Sequence, residues 1–304
     1  MLSNKTINKN IGAPNLVNHT KSLILLMKPR VMSLVIFTCA VGFITSNPNL
    51  KTLDSVISII LVAMGAGAAG CLNMWYEADL DALMSRTCLR PIPTGKINKK
   101  QALIFGVFLS VFSISALYYF TNLLSAFLLL FTIVFYLFVY TIWLKRKTSQ
   151  NIVIGGIAGS LPPVIGWAIS TNSISLASVS LFLIIFFWTP SHFWALSLYK
   201  ADDYKKAKIP MMPITDGTEK TKVYILIYSL LMLPVVALPY LINFSGLIYI
   251  LPVLLLTFYY NFVCFDLYKF AKNKFDPKKA KKVFGYSILY LFLIFVLFLI
   301  DYLI

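Results

Sequence analysis

"NMWYEADLDALMSRTCLRPIPTG", residues 73–95, joins the end of a long apolar run to a loop that carries Glu77, Asp79 and Asp81, then Arg86 and Arg90. The run begins near residue 54, long enough for the ~20 apolar residues that carry a helix across a ~30 Å hydrocarbon layer. Similar runs recur along the whole chain of 304 residues, which is 59% hydrophobic and 12% charged with a mean hydropathy of +0.80. A soluble fold of that composition would lack polar residues to cover its surface. Because the runs are uninterrupted, they also exclude a membrane barrel, whose strands alternate apolar and polar positions. The chain therefore reads as all-α and polytopic.

Spans fall near 31–47, 54–76, 102–120, 123–143, 152–170, 174–198, 222–242, 246–268 and 283–303, nine in all, with the shortest gaps near 121, 172 and 244. With the N-terminus inside, Lys5 to Arg30, Arg86 to Lys100, Lys145 to Lys147, Lys200 to Lys222 and Lys269 to Lys282 share that side, leaving Lys51 alone outside. The net charge of +16 is thus a matter of orientation and lipid contact, and nucleic acid is excluded as a partner. Residues 1–20, polar and rich in Asn, read as a disordered cytoplasmic tail and not a signal peptide, with residues 21–304 forming the transmembrane domain. Cys39, Cys71 and Cys264 lie in apolar spans and Cys88 in an inner loop, a spacing that suggests neither a disulfide framework nor a zinc site.

On a continuous helix Asn73, Glu77 and Asp81, spaced by four, share one face with a drift of about 40° per step, while Asp79 points elsewhere. Acids at a membrane surface are often merely solvated. Three carboxylates and an Asn packed at this spacing repel one another unless a cation or basic groups neutralise them. Oxygen donors without His or thiolate point to Mg²⁺ or Ca²⁺, and Mg²⁺ is commonly shared between a few carboxylates and substrate phosphates.

A second acidic loop, "SHFWALSLYKADDYKKAKIPMMPITDG", follows the sixth span and weakly echoes the first: apolar helix, carboxylates, cations, then a turn with Pro and Gly. Both loops fall on the inner side, so they can face each other across one cavity, as repeats in membrane proteins do. Together with Arg86, Arg90, Lys145, Arg146 and Lys200 they would make a receptacle for a diphosphate. Lys145, Arg146 and Lys147 are equally what orientation alone would place after an apolar span. Trp75, Tyr76, Trp143 and Trp194 fit an interface belt or packing. In "NIVIGGIAGSLPPVIGW", Gly155, Gly156 and Gly159 allow close helix approach, and Pro162 with Pro163 should break or kink the fifth span. His192, eleven residues before Asp203, points the same way on a continuous helix, about 16 Å away; it is either a packing residue or a functional one.

At these residues the sequence resembles the UbiA superfamily of intramembrane prenyltransferases, whose first acidic motif residues 73–95 are similar to. "LMKPRVMSL", "YTIWLKRKTSQNIVIGGIAGSLPPVIGW" and "WTPSHFWALSLYKADDYKKAKIPMMP" resemble the heme-farnesylating branch, so that the likeness covers roughly residues 24–217. The resemblance implies nine helices around a central cavity, and Mg²⁺-dependent transfer of farnesyl from farnesyl diphosphate to the 2-vinyl group of heme b, with addition of water. It makes Asn73, Glu77, Asp81 and Asp203 the metal ligands. Arg86, Arg90, Lys145, Arg146, Tyr140 and Lys200 fall to the substrate, with Asp81, Asp203 and His192 as the catalytic set. Glu77 stands where Asp is usual, and Tyr199 where many relatives carry a further Asp that Asp202 replaces in part. Implied partners are farnesyl diphosphate, heme b and the lipid bilayer of a bacterial inner membrane, with a heme A synthase or terminal oxidase assembly as further candidates. Two other readings stay open: a quinone-precursor acceptor within the same superfamily, or a transporter gated by carboxylates.

Overall fold

Apolar runs bounded by capping side chains and turn residues become helices in the computed structural model, which describes residues 16–47, 51–269 and 275–304. Every regular element among them is helical. Helix α1 (Leu16–Leu26) meets α2 (Pro29–Ile44) at a bend of 55°. The bend falls at Lys28, whose φ of 55° lies in the left-handed region that side chains rarely adopt, and Pro29 opens the next helix where its missing N–H is not needed. Helix α3 (Thr52–Tyr76) is followed after Glu77 by α4 (Ala78–Leu83). Helix α5 (Lys99–Phe120) starts on a capping box, Asn98 with Gln101, and α9 (Leu176–Tyr199) on another, Ser175 with Ser178.

Between them, α6 (Leu123–Val134) passes into a π-helical stretch, Phe135–Leu144, and α7 (Asn151–Ser160) and α8 (Pro162–Thr171) form one span broken at Leu161. The predicted break at Pro162 and Pro163 therefore occurs, with both prolines in the first turn of α8. Short helices α10 (Ala201–Lys206) and α11 (Met212–Thr215) lead to α12 (Thr218–Leu241), α13 (Leu247–Lys269) and α14 (Pro277–Leu303). Eight of these spans are long and apolar enough to cross a membrane unaided, and the bent pair α1–α2 makes a ninth among the described residues.

The α7–α8 span is the most enclosed, with 67% of its apolar segment buried against 22% for α5, so the former sits centrally and the latter faces lipid. Close approach makes this possible. A Cβ at Gly42 would lie 2.1 Å from the Pro163 carbonyl oxygen, and one at Gly166 2.0 Å from that of Cys39, so α2 and α8 cross nearly backbone to backbone. Gly155 and Gly156 also face neighbours, Tyr140 and Thr189, but Gly159 has nothing within 4 Å and needs another account than helix packing. The expected tail needs a corrected boundary: its residues 16–20 belong to α1, which Leu26 anchors in a small core with Cys71, Met74 and Ala102, while residues 1–15 lie outside those described.

Candidate active site

The inward face of α3 delivers the first acidic group. The Glu77 N–H donates to the Asn73 carbonyl at 2.9 Å and the Asp81 N–H to that of Glu77 at 2.8 Å, so the four-residue rhythm survives the loosened turn at Glu77. Asn73, Glu77 and Asp81 are 2%, 2% and 3% exposed, whereas the Asp79 side chain is 54% exposed. Spacing alone predicts this division.

Each of the four meets a cation from elsewhere in the chain. Lys28 Nζ donates to Asn73 Oδ1 at 2.5 Å, and Lys145 Nζ to Glu77 Oε2 at 2.6 Å. Arg90 Nη1 donates to both Asp81 carboxylate oxygens at 2.8 Å, and Arg146 Nη2 to Asp79 Oδ1 at 3.0 Å. At Lys145, burial pulls the ammonium's pKa down, but Glu77 outweighs it and the net direction is up. Likewise burial would raise the Asp79 carboxyl, and Arg146 holds it below the ordinary range instead.

The π-helical stretch sets up the far wall. There the Lys145 N–H bonds the Tyr140 carbonyl at 2.9 Å, five residues back, and the Thr141 hydroxyl donates to the Tyr136 carbonyl at 2.8 Å while accepting from Asn73 Nδ2 at 3.0 Å. Such widened turns are rare and recur at functional sites. The Tyr136 and Tyr140 rings stack 5.3 Å apart, with Lys28 Nζ 6.0 Å from the first centroid and Lys145 Nζ 5.7 Å from the second.

The second acidic loop joins the first through one side chain. Ser85 Oγ donates to Asp203 Oδ2 at 2.7 Å, and that hydrogen bond is the main reason the Asp203 carboxyl sits below the ordinary range. Ser149 Oγ, in the loop after the π-helical stretch, also reaches Asp216 Oδ2 at 3.3 Å, so that loop gathers at the same end of the bundle. Asp203 is buried and Asp202 exposed. Arg86 is exposed and has no carboxylate partner among the described residues; it acts electrostatically on Tyr140 and Tyr199. Lys200, half-buried, acts on Asp203 in the same way.

His192 lies apart from this group. Its ring is stacked between Trp188, 4.2 Å away, and Phe284, 4.6 Å away, and Nδ1 meets Ser287 Oγ at 2.6 Å. The Ser287 hydroxyl also lies 2.7 Å from the Phe284 carbonyl, so it can donate there and accept from Nδ1, an arrangement that leaves Nε2 with its lone pair. The helix does not run on to Asp203 as expected, because Lys200 leaves helical geometry between α9 and α10.

Among the described residues, no three carboxylate, histidine or thiol groups stand close enough to hold a metal ion. The donor set still fits one, because it is all oxygen and Glu77 Oε1 is buried with no hydrogen-bond partner. Lys28, Ser85, Tyr136 and Thr141 belong to the site without having been singled out by charge pattern, although all but Tyr136 lie inside the stretches that carry the family likeness.

A helical bundle with eight apolar spans, nine with the bent pair, among the described residues, and paired acidic loops at one end, matches known proteins. The profile of the UbiA prenyltransferase family covers residues 34–288, and the chain belongs to that family. Within it, a relative from Pelagibacter ubique (strain HTCC1062) that is 69% identical over 99% of both chains bears the name protoheme IX farnesyltransferase. So does one from Parvibaculum lavamentivorans, 49% identical over 91% of this chain and 87% of its own, and one from Rickettsia bellii, 52% identical over 91% of each. The fold is also that of a digeranylgeranylglyceryl phosphate synthase, with a TM-score of 0.77 at 17% identity over 93% of this chain and 98% of that one. A UbiA homologue from Archaeoglobus fulgidus solved with DMAPP and Mg²⁺ has a TM-score of 0.67 at 17% identity, covering 91% and 99%.

Proposed function

We propose that the chain transfers farnesyl from farnesyl diphosphate to the 2-vinyl group of heme b, giving heme O and diphosphate. The observation that supports this best is the junction of the two acidic loops through Ser85 and Asp203, with the buried acids and their cations beside it. In the reaction the bond between farnesyl C1 and the diphosphate oxygen breaks, its electron pair leaving with diphosphate. The outer vinyl carbon bonds to C1; water oxygen adds to the inner one and loses a proton. Glu77, Asp81 and Asp203, with Asn73, would hold Mg²⁺, which supplies positive charge to the departing diphosphate. Arg86, Arg90, Lys145, Arg146, Lys200 and the Tyr140 phenol would bind its phosphates, and the apolar helices would take the isoprenoid chain and exclude water.

His192 is assigned to the acceptor end, through Nε2. His192→Ala should then abolish heme O formation while leaving binding of an unreactive farnesyl diphosphate analogue nearly normal. Parallel loss of heme binding, diphosphate binding and folded protein, at about 1–3 kcal/mol for an orphaned buried partner, would make it a packing residue. The N-terminus and both acidic loops are assigned to the cytoplasmic side of a bacterial inner membrane, which a reporter fused after Asp216 tests. A heme A synthase or oxidase assembly would consume the product.

The deciding experiment expresses the chain in a cell lacking its own synthase and separates extracted hemes by chromatography. Heme O that depends on farnesyl diphosphate and disappears with a chelator is expected. Prenylation of a phenolic acid, with heme b untouched, would overturn the assignment in favour of a quinone-type acceptor.

A further inference from the structure

Asn73 and the three carboxylates of residues 73–81 are matched one for one by cations: Asn73 by Lys28, Glu77 by Lys145, Asp79 by Arg146 and Asp81 by Arg90. Three of these pairs are largely buried, and the fourth is open to solvent. Arg90 takes both oxygens of Asp81, and Lys145 takes Oε2 of Glu77, leaving Oε1 enclosed and unpaired. Apart from Glu77 Oε1, the inward-facing oxygens of this segment are therefore already covered by ammonium and guanidinium groups. A divalent ion arriving alone would have to push those cations aside, leaving them desolvated and without an acceptor, which is strongly unfavourable. A diphosphate changes the balance, because its oxygens offer the displaced cations charge-assisted hydrogen bonds.

We propose that Lys28, Lys145 and Arg90 lock the first acidic segment in the resting protein, and that divalent metal and diphosphate bind only as a coupled pair. On binding, Lys145 and Arg90 exchange carboxylate for phosphate. The inference rests on the function proposed above and concerns how that site fills. Coupling of this kind is reciprocal, so each ligand must tighten the other by the same factor.

The test uses the detergent-purified full chain, Mn²⁺ as a paramagnetic probe, and inorganic diphosphate, with no turnover involved. Wild-type protein should bind Mn²⁺ weakly alone and at least about tenfold more tightly with diphosphate present. Lys145→Gln and Arg90→Gln, made separately so that poor folding of one leaves the other informative, should do the reverse of ordinary site mutations. Each should tighten Mn²⁺ binding in the absence of diphosphate, by about tenfold, while weakening diphosphate binding and shrinking the coupling. Lys220→Gln, at the solvent-exposed pair with Asp216 outside this segment, should leave binding of Mn²⁺ alone unchanged. If both variants bind Mn²⁺ alone no better than wild type, or if Lys220→Gln gives the same gain, the lock is wrong. Failure of wild-type protein to bind Mn²⁺ even with diphosphate would overturn the proposed function itself.

Discussion

The two acidic segments look alike in sequence and differ in how the fold neutralises them. In residues 73–81 every acid has its own cation within hydrogen-bonding distance. In residues 199–206 the buried acid, Asp203, has a hydroxyl partner, Ser85, and feels Lys200 and Lys206 only through space. The depth of burial goes with the contrast. Glu77 caps the end of a membrane-spanning helix and Asp81 lies on the short helix that follows, at 2% and 3% exposure, where an unpaired charge is expensive. Asp203 sits on a short helix outside the spans, where a hydroxyl and nearby water-facing lysines suffice. The first segment is thus a wall in which each acid has its own cation, and the second is a hinge joined to it by two hydrogen bonds from Ser85, one from its hydroxyl and a longer one from its N–H.

The sharpest test of that contrast compares the two buried carboxylates. Asp81→Asn and Asp203→Asn should each lower farnesyl transfer by about 10²- to 10³-fold, the loss expected when one charged contact to a developing anion is removed. Their effects on stability should diverge. Asp81→Asn strands Arg90, which is 21% exposed, so about 2 kcal/mol is expected, below the ~3–5 kcal/mol of a fully enclosed pair. Asp203→Asn strands no cation and should melt within a degree or two of wild type, about the shift of a few tenths of a kcal/mol. Equal melting temperatures for the two variants would contradict the contrast.

Spacing made part of this arrangement legible. The four-residue interval of Asn73, Glu77 and Asp81 sorts them correctly from Asp79, and the apolar runs give the spans, because helical period and membrane thickness leave little choice. Which cation meets which acid is not legible, since Lys28 and Asn73 are brought together by a bend at a left-handed lysine that no local pattern announces. The π-helical stretch is equally silent: "FYLFVYTIWL" reads as ordinary apolar helix, yet its widened turns set the positions of Tyr136, Tyr140 and Thr141. At His192 the pattern misleads in the opposite direction: the sequence predicts a continuous helix to Asp203, and Lys200 interrupts it.

The hinge can be probed without touching a charge. Ser85→Ala removes the hydroxyl that holds Asp203, and transfer should fall by about tenfold, the equivalent of one hydrogen bond to a charged group at about 1.5 kcal/mol. The pH profile should move as well. A carboxyl held below its ordinary range contributes above that range and loses its effect as pH falls through its folded value. With the Ser85 bond gone, the Asp203 value rises toward the ordinary one, so the acid limb of the activity profile should shift to higher pH. An unmoved acid limb would mean that Asp203 is not the group that limits activity there.

The smallest effects belong to the exposed acid of each segment. Asp79 pairs with Arg146 at 3.0 Å, but its side chain is 54% exposed, and pairs of that kind are worth about 0–1 kcal/mol. Asp202 is exposed as well. Asp79→Asn and Asp202→Asn should therefore each change transfer by no more than about threefold, with KM rising before kcat falls, because the pair at Asp79 only helps to position Arg146. Family resemblance pulls against this, since acids throughout such motifs tend to be used. The two views separate cleanly in the size of one number. If Asp79→Asn cost as much activity as Asp81→Asn, residues 77–81 would have to turn when substrate binds and bring Asp79 inward. The non-helical turn at Glu77 is the point where that rotation would begin.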